Sequence, residues 1–338
     1  MKLLHEWTPD DFTTHLSKLG LLAQAFQVLK IESAGEGNMN FTYRVSLSNG
    51  DTVIAKQSPP FCAKYPQIPA PCERIYAEKK YYDLVAEREI LARHSPKVLA
   101  FDEGEHLLYL EDLGQASDLD TLYSFKKLEP QQGLDLVRYL SDLHACPVGS
   151  IQFSNASMRE LNHAYIFALP FDEQSFTSEL EQMTPGLKAV SRAVVLDPEV
   201  KKITQQMGEI YLHSRDHLIH GDYYPRSWIK TTKGLFVIDP EFGHIGSREF
   251  DLGVFLAHLM MSGQFQTGKA LLEKHYQGYE KLNFENLTRF CAIEVLRRLL
   301  FVVQVPVKTE FSFRAGLVEI SRLALLSGNF EELKDVDV

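Results

Sequence analysis

The chain has 338 residues, 45% of them apolar, 24% charged and 11% aromatic, a balance that excludes a disordered, collagenous or disulfide-dense class. Thirty-five Lys and Arg against 45 Asp and Glu give a formal net charge of −10, with no strong basic block, which disfavours nucleic acid and anionic membranes as partners. The longest apolar runs, Val254 to Leu256 and Leu299 to Val303, fall far short of the ~18 to 20 residues a membrane span needs.

The first expected element is a helix. Thr8 caps it, Pro9 suits its first turn, Asp10 and Asp11 favour its positive end, and Gly20 closes it. Phe26 to Ser33 is compatible with a strand. Phe41, Tyr43, Val45 and Leu47 then alternate with polar residues, the pattern of a half-buried strand. Asn49-Gly50 supplies a two-residue hairpin turn into Thr52 to Lys56. A proline-rich loop covers Pro59 to Pro71, a helix carrying Glu78 runs from Glu73, and short strands follow at Val98 to Phe101 and Leu107 to Glu111. After Asp112 the pattern turns helical: Leu134 to His144, a long stretch over 175–215, then 250–262, 268–282, 287–303 and 315–326. A short β pattern at Leu235 to Ile238 interrupts it. Strands first and helices later predict an α+β fold, with one lobe over 1–112 and a second over 113–338. The acidic start of the chain does not read as a signal peptide, and four scattered cysteines suit a reducing compartment, so a cytoplasmic home is expected.

Five features point to chemistry. Gly35-Glu36-Gly37-Asn38-Met39-Asn40 lies between two strands of a hairpin. A dinucleotide fingerprint needs a helix N-terminus after its glycines, so this segment suits instead a flap whose N–H groups cover nucleotide phosphates. Lys56 ends a Val-Ile-Ala-Lys strand, and Glu78 lies 22 residues on. Each alone reads as an ordinary solvated residue; together they make the Lys–Glu ion pair that holds a lysine against phosphates. His220-Gly221-Asp222 precedes Asp239-Pro240-Glu241-Phe242, whose aspartate stands seventeen residues after Asp222. Either aspartate alone reads as a turn residue. As a pair, one orients an acceptor hydroxyl and the other holds Mg²⁺ on the phosphates.

These segments resemble the aminoglycoside phosphotransferase-like kinase superfamily, whose motif is H-G-D-x-x-x-x-N followed by I-D. Within it the chain most resembles the methylthioribose kinases. Their G-D-G-N-L-N loop is matched by Gly35 to Asn40, their K-Q strand end by Lys56-Gln57, their D-P-E-F by Asp239 to Phe242, and their F-D-I-G by Phe250-Asp251-Leu252-Gly253. They carry serine where relatives keep asparagine, and Ser227 stands at that place. The resemblance covers about residues 30 to 303 and implies a protein-kinase-like fold, with a small antiparallel-sheet N-lobe and a larger, mostly helical C-lobe. It implies ATP contacts from Gly35, Gly37, Asn38, Asn40, Lys56, Glu78, Glu111 and Leu113, with the adenine near Tyr109 to Leu113. Mg²⁺ would be held by Asp239, Glu241 and Ser227. Asp222 would serve as catalytic base, Arg297-Arg298 would meet a sugar acceptor, and His220 and Asp251 would support the catalytic turn. The expected partners are Mg·ATP and a small-molecule acceptor, and a homodimer stays open. Three departures bear on the acceptor: Tyr224 replaces the family's histidine, Arg226 its glycine, and Tyr65-Pro66 its W-P pair.

The competing readings are an aminoglycoside or other amino-alcohol phosphotransferase, and a catalytically silent nucleotide-binding protein. Only the acidic tail, Glu331, Glu332, Asp335 and Asp337, favours a cationic antibiotic, and such a tail ordinarily is solvated. A protein-serine kinase lacks support because H-R-D and D-F-G are absent. Gly263 to Ala270 imitates a phosphate loop but has alanine where a hydroxyl is needed and follows a helix, so it reads as an interhelical loop. His144 and His258 read as satisfied core histidines. Adjacent arginines diverge on a helix, so a solvated face is the expectation for Arg298.

Overall fold

The computed structural model describes residues 1–35, 37, 39–149, 153–172, 184–301, 304–307 and 310–336. The chain forms two compact units. Met1–Ala116 and Thr231–Gly243 make the first; Ser117–Lys230 and His244–Val338 make the second. The return of Thr231–Gly243 to the first unit is something a single linear cut does not express.

In the first unit α1 (Pro9–Lys18) starts at a capping box in which Thr8 and Asp11 satisfy each other's backbone N–H groups. Strands β1 (Val28–Ser33), β2 (Phe41–Leu47) and β3 (Thr52–Gln57) form an antiparallel meander. A two-stranded ribbon, β4 (Phe61–Cys62) and β5 (Tyr65–Pro69), lies in the segment expected to be a plain loop. Helix α2 (Arg74–Ala86) and the short α3 (Glu89–Arg93) lead to β6 (Val98–Asp102) and β7 (Leu107–Glu111). The sheet order is β1-β2-β3-β7-β6. Its period-2 alternation sets the faces. Val45, Leu47, Val53, Ala55, Leu107 and Tyr109 pack with Phe12 and Leu16 of α1. Burying a side chain such as Phe12 contributes about 2 to 3 kcal/mol. Lys56, next to Ala55, therefore projects from the opposite face. The returning segment is tied to this unit by Val237 N–H donating to the His94 carbonyl (2.7 Å), by His94 Nδ1 against the Leu235 carbonyl (2.7 Å) and by Lys233 with Glu111 (3.1 Å).

The second unit is mainly helical, with α4 (Pro130–His144) and helices Ala156–His163, Leu187–Val195, Pro198–His213, Arg248–Met260, Phe265–His275, Phe284–Leu300 and Phe311–Ser327. The expected long stretch thus breaks at Leu196-Asp197, where Asp197 caps the following helix; positions 173–183 lie outside the described residues. The helix expected over 268–282 ends at His275, and that expected to 303 ends at Leu300, with 302–303 outside the described residues. A two-stranded ribbon missed in the sequence pairs His217–Ile219 with His244–Gly246, two three-residue strands too short to show a period. Helices Arg248–Met260 and Phe284–Leu300 approach closely at Gly253. A Cβ there would lie 2.8 Å from Phe290 Cβ and 2.9 Å from the Cys291 backbone nitrogen.

Candidate active site

The first unit gathers five of the expected residues. Lys56 is 4% exposed, and its Nζ donates to Glu78 Oε1 at 2.7 Å and to Asp239 Oδ1 at 2.6 Å. Burial alone would push this ammonium toward neutrality, but the carboxylates of Asp239, Glu78 and Glu241 outweigh it and raise the pKa, so the lysine stays charged. Burial pushes the Glu78 carboxyl up to about 7 against the pull of Lys56; its Oε2 is buried without a hydrogen-bond partner among the described residues. Asp239 holds φ at +62°, left-handed backbone that a non-glycine residue adopts at a cost of about 1 to 3 kcal/mol. That conformation aims its carboxylate at Lys56 while leaving the side chain 49% exposed. Glu241 is buried, accepts from Asn40 Nδ2 at 2.7 Å, and burial raises its pKa.

Asn40 closes the glycine segment, in which Gly35 takes φ +143°, a backbone region reserved for glycine. Asn38 lies outside the described residues. Arg74, which no local pattern marks, anchors this loop. Fully buried, it donates to Asn40 Oδ1 (2.9 Å) and to the carbonyls of Met39 (2.7 Å), Pro59 (2.8 Å) and Pro71 (2.7 Å). At the end of β7, Arg44 grips Asp112 through two bonds of 2.6 and 2.8 Å, fixing the segment that holds Glu111 and Leu113. Glu111 itself pairs with Lys233.

The second unit carries the Asp222 turn. Gly221 sits at φ +83°, which lets the chain reverse between His220 and Asp222. Asp251, completely buried on the Arg248–Met260 helix, accepts the N–H groups of His220 (2.7 Å) and Gly221 (3.0 Å). His220 Nδ1 accepts the N–H of Asp222 at 3.3 Å, and the Ser227 hydroxyl donates to the Asp222 carbonyl at 3.1 Å. Asn162, unmarked in the sequence, donates to the Gly221 carbonyl at 3.1 Å. Burial raises the Asp222 pKa, opposed by Arg298 and Arg297.

The solvated-face expectation for Arg298 is corrected: it is 3% exposed, donates through Nη2 to Asp222 Oδ1 at 3.0 Å, and lies 4.6 Å from the centre of the Tyr224 ring. Arg297 is 5% exposed, its Nη2 3.9 Å from the same oxygen. The reason is that Phe284–Leu300 is buried on all sides of its last three turns, so no face there is left to solvent. Arg226 reaches outward to Asp120 (2.8 Å).

The tail is not simply solvated either. Asp335 accepts the N–H groups of Phe265 (2.6 Å) and Gln266 (3.2 Å) at the start of their helix, and Glu331 pairs with Lys269; Asp337 lies outside the described residues. Those contacts occupy the segment that imitates a phosphate loop; only Gly263 and Gln264 of it connect two helices, and the rest, expected to be loop, is the start of Phe265–His275. Among the described residues no group of three or more His, Cys, Asp or Glu side chains is arranged to hold a metal by itself. His144 contacts Tyr276 and Asp251, and His258 contacts Tyr123 and Glu294, so both are satisfied core residues. No helix among the described residues is long and apolar enough to cross a membrane.

An antiparallel sheet with a buried Lys–Glu pair in one unit, and a helical second unit carrying an H-G-D turn, define a protein-kinase-like α+β fold. The crystal structure of LicA in complex with AMP matches that fold with a TM-score of 0.54 at 17% identity, covering 95% of this chain and 99% of that one. Residues 30–289 match the model of the phosphotransferase enzyme family, APH, and the chain belongs to that family. It is similar to the methylthioribose kinase of Exiguobacterium sibiricum, 25% identical over 293 residues that cover 83% of this chain and 70% of the relative. It is also similar to methylthioribose kinase 1 of Oryza sativa subsp. japonica, 26% identical over 275 residues that cover 77% and 62%.

Proposed function

We propose that this protein is an ATP-dependent small-molecule kinase that transfers the γ-phosphoryl group to a hydroxyl of a sugar-like acceptor, with 5-methylthioribose the favoured class. The observation that carries the reading is Lys56, a buried ammonium kept charged and fixed between Glu78 and Asp239. A lysine so held supplies a preorganised charge for phosphate oxygens, which is most of what phosphoryl transfer asks of a protein. Gly35, Gly37 and Asn40 cover the phosphates through backbone N–H groups, and the segment of Glu111 and Leu113 receives the base.

Mg²⁺ fits the donor set. It is a hard cation that binds through one or two carboxylates, substrate phosphates and water, and the half-exposed Asp239 with Glu241 two residues on offers such oxygens. When bound, the ion neutralises charge on the triphosphate. Asp222 orients the acceptor hydroxyl and takes its proton; its raised pKa makes it a better base than an ordinary aspartate. Ser227 closes the turn through the Asp222 carbonyl.

The buried Arg297-Arg298 pair next to Asp222 supports a neutral, hydroxyl-bearing acceptor over a cationic one, since a desolvated ammonium beside two guanidiniums is strongly disfavoured. The relatives named methylthioribose kinase agree with this preference. The test is ADP release by purified protein with Mg·ATP and, in turn, 5-methylthioribose, an aminoglycoside and an amino alcohol. Turnover with the thiosugar, reduced ~10² to 10⁴-fold in Asp222→Ala, is expected. Binding of Mg·ATP without acceptor-dependent ADP release from any of the three refutes the reading in favour of a silent nucleotide-binding protein.

A further inference from the structure

Neighbouring helical side chains point about 100° apart, so Arg297 and Arg298 converge on Asp222 only if something between them draws both to one side. Glu294 lies three residues before one arginine and four before the other, on the helix face common to both. Its side chain is 1% exposed. It accepts Arg297 Nε, Arg297 Nη2 at 2.9 Å and Arg298 Nε at 2.8 Å. From the far side His258 Nε2 meets the same carboxylate at 3.0 Å, while His258 Nδ1 meets the Tyr123 hydroxyl at 2.5 Å. The arginines in turn hold the Glu294 carboxyl well below the usual carboxylate range despite its burial. Two guanidiniums this close in a dry interior repel each other unless a carboxylate lies between them. Glu294 is that carboxylate, and one of the bonds Arg298 has left goes to Asp222 Oδ1.

We propose that Glu294 is a positioning residue for phosphoryl transfer: it locks Arg297 and Arg298 side by side and, through Arg298, sets the Asp222 carboxylate toward the acceptor hydroxyl. This rests on the reading of Asp222 and the arginine pair given under Proposed function. Glu294 touches no reacting atom. Its loss frees the arginines, and a displacement of about 1 Å at a catalytic carboxylate costs on the order of 10²-fold in turnover.

The experiment compares wild type with Glu294→Gln, which keeps the shape and removes the charge. Steady-state kinetics with Mg·ATP and 5-methylthioribose should show kcat falling ~10²-fold and the acceptor KM rising, with the ATP KM unchanged. A variant that is merely less folded loses kcat in proportion to its inactive fraction and leaves both KM values where they were; that result overturns the proposal. Crystal structures of wild type and variant judge the positioning without any turnover. Arg298 should move beyond the ~3.5 Å reach of a hydrogen bond to Asp222 in the variant, and an unmoved pair overturns the proposal. Wild-type protein that phosphorylates no acceptor refutes the functional reading, and the two structures still decide the role of Glu294. If Glu294→Gln does not fold, His258→Asn, which takes one donor from the same carboxylate, goes through the same measurements. A rise in acceptor KM alone supports the proposal, and an unchanged acceptor KM overturns it.

Discussion

The contact at Gly253 makes a sharp test of how the fold builds the Asp222 site, because another buried helical glycine of the same unit serves as its control. In Gly253→Ala the new methyl meets Phe290 Cβ at 2.8 Å, the Cys291 backbone nitrogen at 2.9 Å and the Phe290 carbonyl carbon at 3.1 Å. None of these atoms can swing aside, so the two helices must separate. In Gly268→Ala the nearest atoms are Leu259 Cδ1 at 2.6 Å and Leu256 Cδ2 at 3.1 Å, ends of side chains with other rotamers. Both substitutions gain about 1 kcal/mol of helix propensity. Overpacking costs typically about 1 to 3 kcal/mol, and with backbone in the way the upper end applies at Gly253. The expected net effects are a loss of about 2 kcal/mol for Gly253→Ala and about zero for Gly268→Ala. For a domain of roughly 150–250 residues the former lowers Tm by about 4 to 8 °C. Because the displaced helix carries Glu294, Arg297 and Arg298, Gly253→Ala should also raise the acceptor KM and leave the ATP KM alone. Thermal melts and steady-state kinetics on the two variants read these outcomes. Equal Tm values for the pair, or a Gly253→Ala protein with wild-type kinetics, would refute the argument that this crossing sets the arginines.

Lys56→Met removes the charge between Glu78 and Asp239; ADP release should fall by ~10²-fold or more, and a variant retaining wild-type turnover removes Lys56 from the phosphate site. A pH prediction follows from His258. Burial lowers its pKa from 6.5 to about 4. The unfolded chain therefore binds a proton that the native imidazole refuses, so stability is full above pH 6.5 and is lost as pH falls toward 4, by about 3 kcal/mol. The raised carboxyls of Glu78, Asp222 and Glu241 act with the opposite sign, so the measurement is the difference between wild type and His258→Leu in urea midpoints over that window. Parallel pH profiles for the two proteins contradict a neutral, buried His258.

What the sequence made legible is what local chemistry encodes. Alternation over Phe41 to Leu47 and an Asn-Gly turn specify a hairpin wherever they occur, and they fix which face of the sheet Lys56 leaves from. Thr8 with Asp11 and the glycine of His220-Gly221-Asp222 carry their backbone instructions within three or four residues. The rest depends on partners that only the folded chain supplies. Nothing near Arg74 foretells five acceptors in two loops. Nothing near Asp335 foretells that it caps a helix 70 residues earlier. The membership of Thr231–Gly243 in the first unit is of the same kind, fixed by His94, Glu111 and Lys56.

Arg298 is the instructive failure, since a signal was present. Every residue from Phe290 to Leu300 is buried, the face of Glu294, Arg297 and Arg298 included, and eight of those eleven are apolar. An arginine in such a helix must bring a carboxylate with it, and Glu294, one turn back, is the only acid near enough on the helix to serve both arginines. The helix is thus built backwards from the usual order: its charged cluster needed a buried home, and its apolar surface provides that home on all sides. A solvated Glu294–Arg298 pair is worth only a few tenths of a kcal/mol and leaves both side chains mobile. Enclosed, the same atoms have one arrangement, and that arrangement points at Asp222.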